Sequence, residues 1–474
     1  MASYDVIFLG GGPAGYVGAI RCAQLGLSVA VVEREGLGGT CVLWGCIPAK
    51  ALLESASVAN KVRHAGEFGV TVTGEVGFDF GVAMKRSRGV SSQNSKGVEF
   101  LFKKNKITWI KGTGRLVKAS GAAVAALSVI GADGKEEKHD ARKGVVIATG
   151  SRVRGLPQVG LELNKTTVIS SDEALTLAKA PKSIAIVGAG AVGCEFADVF
   201  NAFGSEVHLV EVLPVLLPLE DADCSAELGR AFKKRKIQVH TGARLSNVKV
   251  GKNDVSMSLE AGGAKESLTV DCVLVAAGRA PNVEEIGLKE LGVQLTDRGF
   301  VKVDTTSYQT SAKGVYAIGD VIGAPMLAHK GQREGYVLAE LLAGKQPHAI
   351  NYGNIPNATY CHPEVASIGL TEAQCKEQKL DYKVGKFPFS ANGRARTSGE
   401  TEGFVKIIRD AKYGEILGAH IIGAHATELI HELLVARENE FTVEEVDLAI
   451  HAHPTLSEAI AEAALDSLGR LVHA

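Results

Sequence analysis

Two cysteines five residues apart, Cys41 and Cys46, are the side chains best placed for redox chemistry. Five residues of regular helix separate two Cα atoms by about 7.5 Å, whereas a disulfide needs them within roughly 6.8 Å. A bridge therefore requires a distorted turn. The sequence favours one, because Gly45 is permissive and Pro48 cannot donate a hydrogen bond to the carbonyl of Trp44. Spacing alone leaves open a redox pair or two unrelated buried thiols.

The composition limits the class of protein. The 474 residues are enough for two to four domains, and 46% hydrophobic with 22% charged residues is ordinary for a globular chain. A net charge of −1 argues against nucleic acid or a membrane surface as the main partner. We expect no apolar run long enough to span a bilayer and no metal site. Eight cysteines are too few for a secreted disulfide scaffold.

The start of the chain bears on location. The first strand is predicted to begin near Tyr4, which leaves no room for a signal or transit peptide. We therefore expect a cytoplasmic protein, or one of the mitochondrial matrix if the sequence is a mature organellar form.

The cysteine pair follows a complete dinucleotide-binding unit. A buried strand over residues 4–9 leads into G-x-G-x-x-G, then a helix over 14–25 and a strand over 28–32. Such a unit places a pyrophosphate at the helix amino terminus and a ribose at the acid that closes the second strand. The predicted contacts are Gly10, Gly12, Gly15 and Glu33.

The next segment adds to the first unit. Residues 82–104 predict a helix, and residues 108–117 and 123–130 predict strands of a small antiparallel insert. Residues 144–150 predict another buried strand that returns to the first sheet and ends near the nucleotide.

A second dinucleotide unit repeats the pattern. A strand over 183–187 precedes another G-x-G-x-x-G, followed by a helix to about Phe203 and a strand over 206–210. The acid Glu211 favours a free ribose hydroxyl, and hence NAD over NADP. Arg279 ends a later strand, over 272–279, and does not change that choice.

Two dinucleotide sites and a cysteine pair together predict electron transfer between sulfur and nicotinamide. Thiol exchange proceeds through sulfur, whereas NAD accepts a hydride. A flavin couples the two chemistries, so FAD at the first site is the economical assignment.

With these motifs the sequence resembles the pyridine nucleotide–disulfide oxidoreductases, over essentially the whole chain. The motifs that carry the resemblance are residues 38–41 with 45–48, the two glycine motifs, and residues 316–320, 326–330 and 451–458. The chain departs from the usual pattern at three places. Val42-Leu43-Trp44 replaces Leu-Asn-Val between the cysteines, Ala49 stands where serine is common, and Gln332 stands where an acid is usual. Trp44 is the departure that can alter access to the disulfide or the flavin potential.

The resemblance implies an α/β fold of two Rossmann-like FAD- and NAD-binding domains and a carboxyl-terminal α+β dimerisation domain. The domains are expected at 1–150 (FAD, with the redox disulfide), 151–280 (NAD) and 351–474 (dimerisation). Residues 281–350 complete the FAD site. In the last domain we predict strands over 355–369, 404–409 and 416–422, and helices over 426–439, 443–450 and 457–468.

The resemblance also implies the site residues. The catalytic residues are Cys41 and Cys46 as a disulfide, His453 as base, Glu458 as its partner, and Lys50 paired with Glu195 at the flavin. The remaining FAD contacts are Gly114, Thr149, Gly150, Ser151, Asp320, Met326, Leu327, Ala328 and His329. The NAD contacts are Gly188, Gly190, Gly193, Glu195, Glu211 and Gly278. Residues 455–458 also fit a helix capping box, which gives Glu458 a structural interpretation, and His451 is interpreted as structural.

The implied activity is oxidation of dihydrolipoamide to lipoamide through the disulfide and FAD, with a hydride passed to NAD. The implied enzyme is a homodimer whose active site is shared between subunits. It would act on a lipoyl domain or free dihydrolipoamide, in a 2-oxo acid dehydrogenase or glycine cleavage complex. Glutathione reductase would use NADPH, which Glu211 opposes, and mercuric reductase would need cysteines near the carboxyl terminus. A flavoprotein sensor of NADH or scaffold, whose disulfide does not turn over, is the remaining alternative.

Overall fold

The computed structural model describes residues 2–473. The chain forms two compact units. Unit 1 comprises Met1–Ala51, Met84–Arg154 and Gly278–Ile350, and unit 2 comprises Leu52–Ala83, Gly155–Ala277 and Asn351–Ala474. Unit 1 thus holds most of the predicted first domain and the central segment, and unit 2 holds most of the other two predicted domains. The four-domain division remains a prediction.

The strands and helices are numbered along the chain. The strands are β1 Ala2–Leu9, β2 Val29–Glu33, β3 Thr108–Lys111, β4 Thr113–Val117, β5 Ala125–Ile130, β6 Glu136–Ile147, β7 Ser151–Val153, β8 Val168–Ile169, β9 Ser183–Val187, β10 Glu206–Val210, β11 Gln238–His240, β12 Arg244–Val250, β13 Val255–Ala261, β14 Ala264–Val270, β15 Cys272–Val275, β16 Arg279–Pro281, β17 Val315–Ala317, β18 Asn357–Thr359, β19 Glu364–Gly369, β20 Tyr382–Pro388, β21 Phe404–Asp410 and β22 Ile416–Gly423. The helices are α1 Pro13–Gln24, α2 Gly39–Leu43, α3 Cys46–Arg63, α4 Phe80–Lys104, α5 Ser171–Ala174, α6 Ala191–Ala202, α7 Ala222–Lys234, α8 Ala328–Leu342, α9 Glu372–Glu377, α10 Gly393–Ser398, α11 Ala426–Glu438, α12 Val443–Leu448 and α13 Glu458–Ser467.

Unit 1 is built on a sheet of order β3-β2-β1-β6-β5-β4, with β17 also paired to β6. Strand β1 runs parallel to β2 and β6, so their carboxyl ends meet at one edge. The predicted return of residues 144–150 to this sheet is confirmed. The predicted strand over 108–117 is instead divided at Gly112, where a Cβ atom would lie 2.5 Å from the carbonyl oxygen of Ile130. Strand β3 pairs with β2, and β4 pairs with β5.

The cysteine segment is a broken helix, as the predicted distorted turn requires. Helix α2 ends at Leu43, and the backbone of the following Trp44 leaves the helical region at φ −135°, ψ 15°. Helix α3 begins at Cys46, and its first turn closes with the Ala49 N–H donating to the Gly45 carbonyl at 3.0 Å. The break shortens the path between the two cysteines.

One expectation about this segment was wrong. By length and composition, Gly39–Arg63 is apolar enough to cross a membrane, a test that core helices also pass. The break at Trp44 divides it. In addition, serine side chains of α4 donate to the carbonyls of Val42 and Pro48 within this segment and to the carbonyl of Leu37 just before it. These contacts are those of a helix packed against protein.

Among residues 2–473, three sheets belong to unit 2. The first is parallel, of order β11-β10-β9-β15-β8, and matches the predicted second dinucleotide unit. The second is an antiparallel meander, β12-β13-β14. The third is antiparallel, of order β18-β19-β22-β21-β20, with α11 and α13 packed on it. The predicted strand over 355–369 is divided into β18 and β19, since Pro363 lies between them and cannot donate to a strand partner.

Candidate active site

Cys41 and Cys46 lie side by side and are in the dithiol form in this structure. Their side chains are hydrogen-bonded, and this bond, followed by burial, raises the pKa of the Cys41 thiol. The charge of Lys50 acts in the opposite direction, and that of Asp320 raises the pKa further. Unit 1 therefore brings four predicted site residues together. This hydrogen-bonded dithiol is the reduced state of the pair, which can donate two electrons and so become a disulfide.

Asp320 lies on a short 3₁₀ turn, Gly319–Ile322, and accepts a hydrogen bond from the Ser151 hydroxyl at 2.6 Å. The turn is held from α8. Glu334 accepts from the Gly319 N–H at 2.7 Å, and Lys330 donates to the carbonyls of Gly319 and Gly323. Lys330 and Glu334 are 3.3 Å apart and almost fully buried. Neither residue was predicted to have a role, although their i,i+4 spacing on a helix favours an ion pair.

The predicted contacts from Thr149 to Ser151 form a second turn. The Thr149 hydroxyl donates to the Asn282 carbonyl at 2.7 Å, and the Asn282 side chain donates to the Thr149 carbonyl at 2.9 Å. Gly150 has φ +69°, which favours glycine. Arg279 donates to both the hydroxyl and the carbonyl of Ser151. Arg279 thus supports this turn of unit 1.

The first glycine motif forms a cradle. A Cβ atom on Gly10 would lie 2.3 Å from the Ala148 carbonyl oxygen, and one on Gly15 would lie 2.0 Å from the Gly10 carbonyl oxygen. Helix α1 begins at Gly12 with no side-chain cap and no acid in its first turn, which suits a pyrophosphate. Glu33 accepts from the N–H groups of Gly11 and Glu35, both at 2.9 Å. Each carboxylate oxygen keeps a lone pair for a ribose hydroxyl. These residues fit the adenosine half of FAD.

The other predicted FAD contacts lie on elements of the same unit. Gly114, in β4, is so close to Leu9 that a Cβ atom would lie 2.5 Å from its side chain. Residues 326–329 lead into α8, with Leu327 at the helix cap. Helix α8 also carries the Lys330–Glu334 pair that holds the Asp320 turn.

The second glycine motif repeats the cradle in unit 2. A Cβ atom on Gly188 would lie 2.7 Å from the Ala276 carbonyl oxygen, and one on Gly193 would lie 1.9 Å from the Gly188 carbonyl oxygen. Space beside Gly190 is open within 4 Å, and α6 begins there without a side-chain cap. Glu211 is buried and accepts from the N–H groups of Ala189 and Leu213 at 2.8 and 2.9 Å. The arrangement fits a second dinucleotide.

Two predicted NAD contacts lie outside this cradle. Glu195 is buried on α6 and accepts from the Tyr360 N–H at 3.1 Å. Gly278 has φ +111° and follows β15 by a few residues. The predicted pair of Lys50 and Glu195 joins residues of different units and remains a prediction.

His453 and Glu458 form a pair in unit 2, with Nδ1 and Oε1 2.8 Å apart. The imidazole is 79% exposed, so its Nε2 atom is open to solvent. Burial of Glu458 acts to raise its pKa, but the hydrogen bonds from the Thr455 N–H and from His453 outweigh burial and lower the pKa. A carboxylate thus holds one nitrogen of an accessible imidazole, which is the arrangement of a general base.

The capping-box interpretation of residues 455–458 is only half correct. The Thr455 N–H donates to Glu458 at 2.7 Å, but the Thr455 hydroxyl donates to the Ala452 carbonyl instead of accepting from the helix. Glu458 therefore serves the turn and His453 at once. His451 is paired with Glu432 at 2.7 Å and is largely buried, which is consistent with a structural role.

A row of serines on α4, not predicted from the sequence, also contacts the cysteine segment. Ser87, Ser91 and Ser95 recur every four residues, are buried, and donate at 2.7 Å to the carbonyls of Pro48, Val42 and Leu37. The helical spacing of three small polar residues was a signal, but their acceptors lie 39 to 58 residues away.

The sequence is similar to a known protein family along most of its length. Residues 4–335 match the model of the pyridine nucleotide-disulphide oxidoreductases, and residues 355–464 match the dimerisation domain of that family. The chain is 44% identical to the dihydrolipoyl dehydrogenase of Rhizobium etli, over 100% of this chain and 99% of the relative. It is also 44% identical to that of Bacillus subtilis, over 99% of each chain.

The fold is also similar to solved structures. The crystal structure of LpdA from Mycobacterium tuberculosis matches with a TM-score of 0.89 and 27% identity, over 98% of this chain and 99% of that one. The copper(II) complex of the flavoprotein disulfide reductase RclA from Escherichia coli matches with a TM-score of 0.84 and 25% identity, over the same shares.

Proposed function

The chain belongs to the pyridine nucleotide-disulphide oxidoreductase family, and from that premise we propose that it is a dihydrolipoyl dehydrogenase that uses FAD and NAD. The observation that carries the proposal is the hydrogen-bonded Cys41–Cys46 pair placed directly after a complete dinucleotide cradle. Full-length relatives at 44% identity favour this activity over the other disulfide reductases. When bound, FAD supplies the coupling between thiol exchange and hydride chemistry.

The cysteine pair exchanges electrons with the substrate dithiol. A substrate thiolate attacks the Cys41 sulfur of the disulfide, so that the Cys41–Cys46 bond breaks and a mixed disulfide forms. Cys46 leaves with the electron pair. The second substrate thiol then attacks the substrate sulfur of the mixed disulfide and releases Cys41. The substrate becomes a cyclic disulfide, and the enzyme holds the reduced pair in the hydrogen-bonded form seen in this structure.

His453 supplies the base for this exchange. A free thiol with a pKa of about 8.5 is only a few per cent thiolate at neutral pH, so removal of its proton accelerates attack. Glu458 holds Nδ1 and leaves Nε2 to accept that proton. The dimerisation domain makes the protein a homodimer, and we place His453 of one subunit at the cysteine pair of the other.

Mixed dimers test this sharing. His453→Gln and Cys46→Ser homodimers should each lose nearly all dithiol oxidation. If the site is shared, a mixed dimer has one intact site, and statistical exchange should restore about a quarter of wild-type activity per chain. Proven exchange without recovery would contradict the sharing.

The partners follow from the proposed substrate. The enzyme acts on free dihydrolipoamide or on the lipoyl domain of a 2-oxo acid dehydrogenase or glycine cleavage complex, in the cytoplasm. Steady-state assays with dihydrolipoamide and NAD, set against glutathione disulfide and NADPH, test the proposal. We expect at least 100-fold higher kcat/KM for the first pair, and preference for the second would overturn the assignment.

A further inference from the structure

We propose that Trp44 is a positioning residue for the two cysteines: its indole ring, held between Glu35 and Arg88, fixes the turn that joins them and favours the disulfide over the dithiol. The proposal rests on the proposed function in that it assumes a cysteine pair that cycles between these states. Trp44 stands immediately before Gly45 and Cys46, at the break between α2 and α3.

Two polar contacts hold the ring. The indole N–H donates to the Glu35 carboxylate at 3.1 Å, and the Arg88 guanidinium lies 4.7 Å from the ring centroid. Arg88 also donates to the Leu43 carbonyl at 2.5 Å, so the same side chain contacts both the indole ring and the backbone of the preceding residue. A cation over an indole face is attracted by the electron-rich face of the ring.

The anchor of the ring is tied to the first cradle. The Glu35 N–H donates to Glu33, and Glu33 also accepts from the Gly11 N–H. A continuous set of hydrogen bonds therefore runs from the cradle through Glu33 and Glu35 to Trp44. The turn between the cysteines is thereby placed relative to the glycine motif of the first site.

The serine row of α4 covers the segment on either side of this turn. Its hydroxyls reach the carbonyls of Leu37 and Val42 before the break and of Pro48 after it. Gly45, inside the turn, has no side chain and is conformationally permissive. Trp44, directly before Gly45, is thus the residue whose side chain contacts can restrain the turn at this glycine.

The restraint has a definite sign. Forming a disulfide within one chain depends on how often the two sulfur atoms meet, and a fixed turn that holds them together raises that frequency. Loosening the turn shifts the equilibrium toward the dithiol. We expect Trp44→Val, which removes both contacts, to shift the dithiol–disulfide ratio about tenfold toward the dithiol. For a two-electron couple that shift is about 30 mV.

The experiment equilibrates the FAD-loaded enzyme with graded mixtures of reduced and oxidised dithiothreitol, the external two-electron couple. Acid quench, alkylation and mass spectrometry then give the reduced fraction of Cys41 and Cys46. Trp44→Phe keeps the ring over Arg88 but loses the N–H bond, and should shift the ratio about threefold. Glu35→Ala removes the same hydrogen bond by deleting its exposed acceptor, and should shift the dithiol–disulfide ratio by the same factor. The double variant should shift no further than either single variant.

Trp109→Phe is the matched control, since it also removes an indole N–H bond, to the Glu33 carbonyl at 3.2 Å, from a ring stacked with a cation. The dithiol–disulfide ratio of this variant should stay within twofold of the wild-type ratio. The proposal is overturned if folded, FAD-loaded Trp44→Val stays within twofold, or if Trp44→Phe and Glu35→Ala add. Thiol exchange with dithiothreitol does not require dihydrolipoamide, so a chain that rejects dihydrolipoamide yet shows the shifts would sink the proposed function and leave this inference standing.

Discussion

The two glycine cradles have nearly the same geometry but different supports. In both, the last glycine lies against a carbonyl about 2 Å from where a Cβ atom would be, and an acid accepts from two backbone N–H groups. The helix of the first cradle packs on α8 at a glycine contact: a Cβ atom on Gly335 would lie 2.4 Å from the Ala14 carbonyl oxygen.

The helix of the second cradle is supported by charge. Asp198 on α6 is buried, forms an ion pair with Arg235 and accepts from the His362 N–H at 2.7 Å. A cradle can therefore keep one geometry while its helix is supported either by close glycine packing together with the partly buried Arg21–Glu340 ion pair, or by the buried carboxylate of Asp198. The first support places α8 and its Lys330–Glu334 pair beside the turn of Asp320, whereas the second ties α6 to the strand region of the carboxyl-terminal sheet.

One pair of glycine variants separates the two cradles. Gly15→Ala should lose FAD at least tenfold, because the new methyl group collides with a backbone carbonyl. Gly193→Ala should keep FAD and lose NADH affinity by a similar factor. FAD absorbance after gel filtration and NADH titration measure the two losses.

Gly190→Ala is the control for ligand space, since no protein atom lies within 4 Å of its Cβ position. It should fold with wild-type thermal stability and still bind NADH more weakly. Loss of FAD from Gly193→Ala would mean that the two cradles are not independent.

Two buried lysines, Lys330 in unit 1 and Lys406 in unit 2, test whether FAD retention depends on the ion pair that holds the Asp320 turn. Lys330→Met leaves Glu334 buried without its cation, and should cost about 3–5 kcal/mol and release FAD. Lys406→Met, in unit 2, leaves Asp221 buried and should cost about as much while the remaining folded protein keeps FAD. Denaturant unfolding with flavin fluorescence distinguishes them, and equal FAD release from both would contradict the assignment.

The lysine of unit 2 also predicts a pH dependence. Hydrogen bonds from Lys376 and Lys406 lower the pKa of Glu372 from 4.5 to about 2. For Asp221, burial acts to raise the pKa, but Lys406 outweighs it and the pKa is lowered. Because the folded pKa values lie below the unfolded ones, this stabilisation is full above about pH 4.5 and is lost as the pH falls toward about 2. Lys406→Met should flatten that part of a stability–pH curve measured by urea unfolding.

The smallest expected effect concerns the two acids. Glu211→Ala should lower the preference for NAD over NADP about tenfold, because the carboxylate that opposes a 2′-phosphate is removed. Glu33→Ala should weaken FAD retention and leave that preference unchanged. The ratio of kcat/KM for the two nucleotides measures this preference. A wild-type preference for NADPH would show that Glu211 was misinterpreted.

The elements that could be predicted from sequence are those with local signals. The paired strand–glycine–helix–strand units have apolar runs and glycines at fixed offsets, and the structure places them close to the predicted bounds. Strand β14 was missed because its residues 264–270 have only Leu268 and Val270 buried, which is too weak a periodic pattern. Helix α7 was not predicted, although its buried Cys224, Leu228, Ala231 and Phe232 recur at helical spacing, which is a usable signal.

The missed contacts of the site are long-range. Ser87 lies 39 residues from its acceptor, and Ser151 lies 169 residues from Asp320. No local pattern encodes such a partner. Lys330 and Glu334 reach the Asp320 turn only because of how α8 packs. Likewise, Arg88 reaches the Trp44 ring only because of how α4 packs.

Electron transfer from the dithiol substrate to NAD requires the cysteine pair, and Cys46→Ser tests this requirement most directly. The variant is prepared with FAD and assayed both for NADH oxidation by an artificial acceptor and for NADH formation from dihydrolipoamide. We predict FAD content and acceptor reduction near wild type, with dihydrolipoamide oxidation lowered at least 1,000-fold. Dihydrolipoamide oxidation at more than a tenth of the wild-type rate would contradict the account.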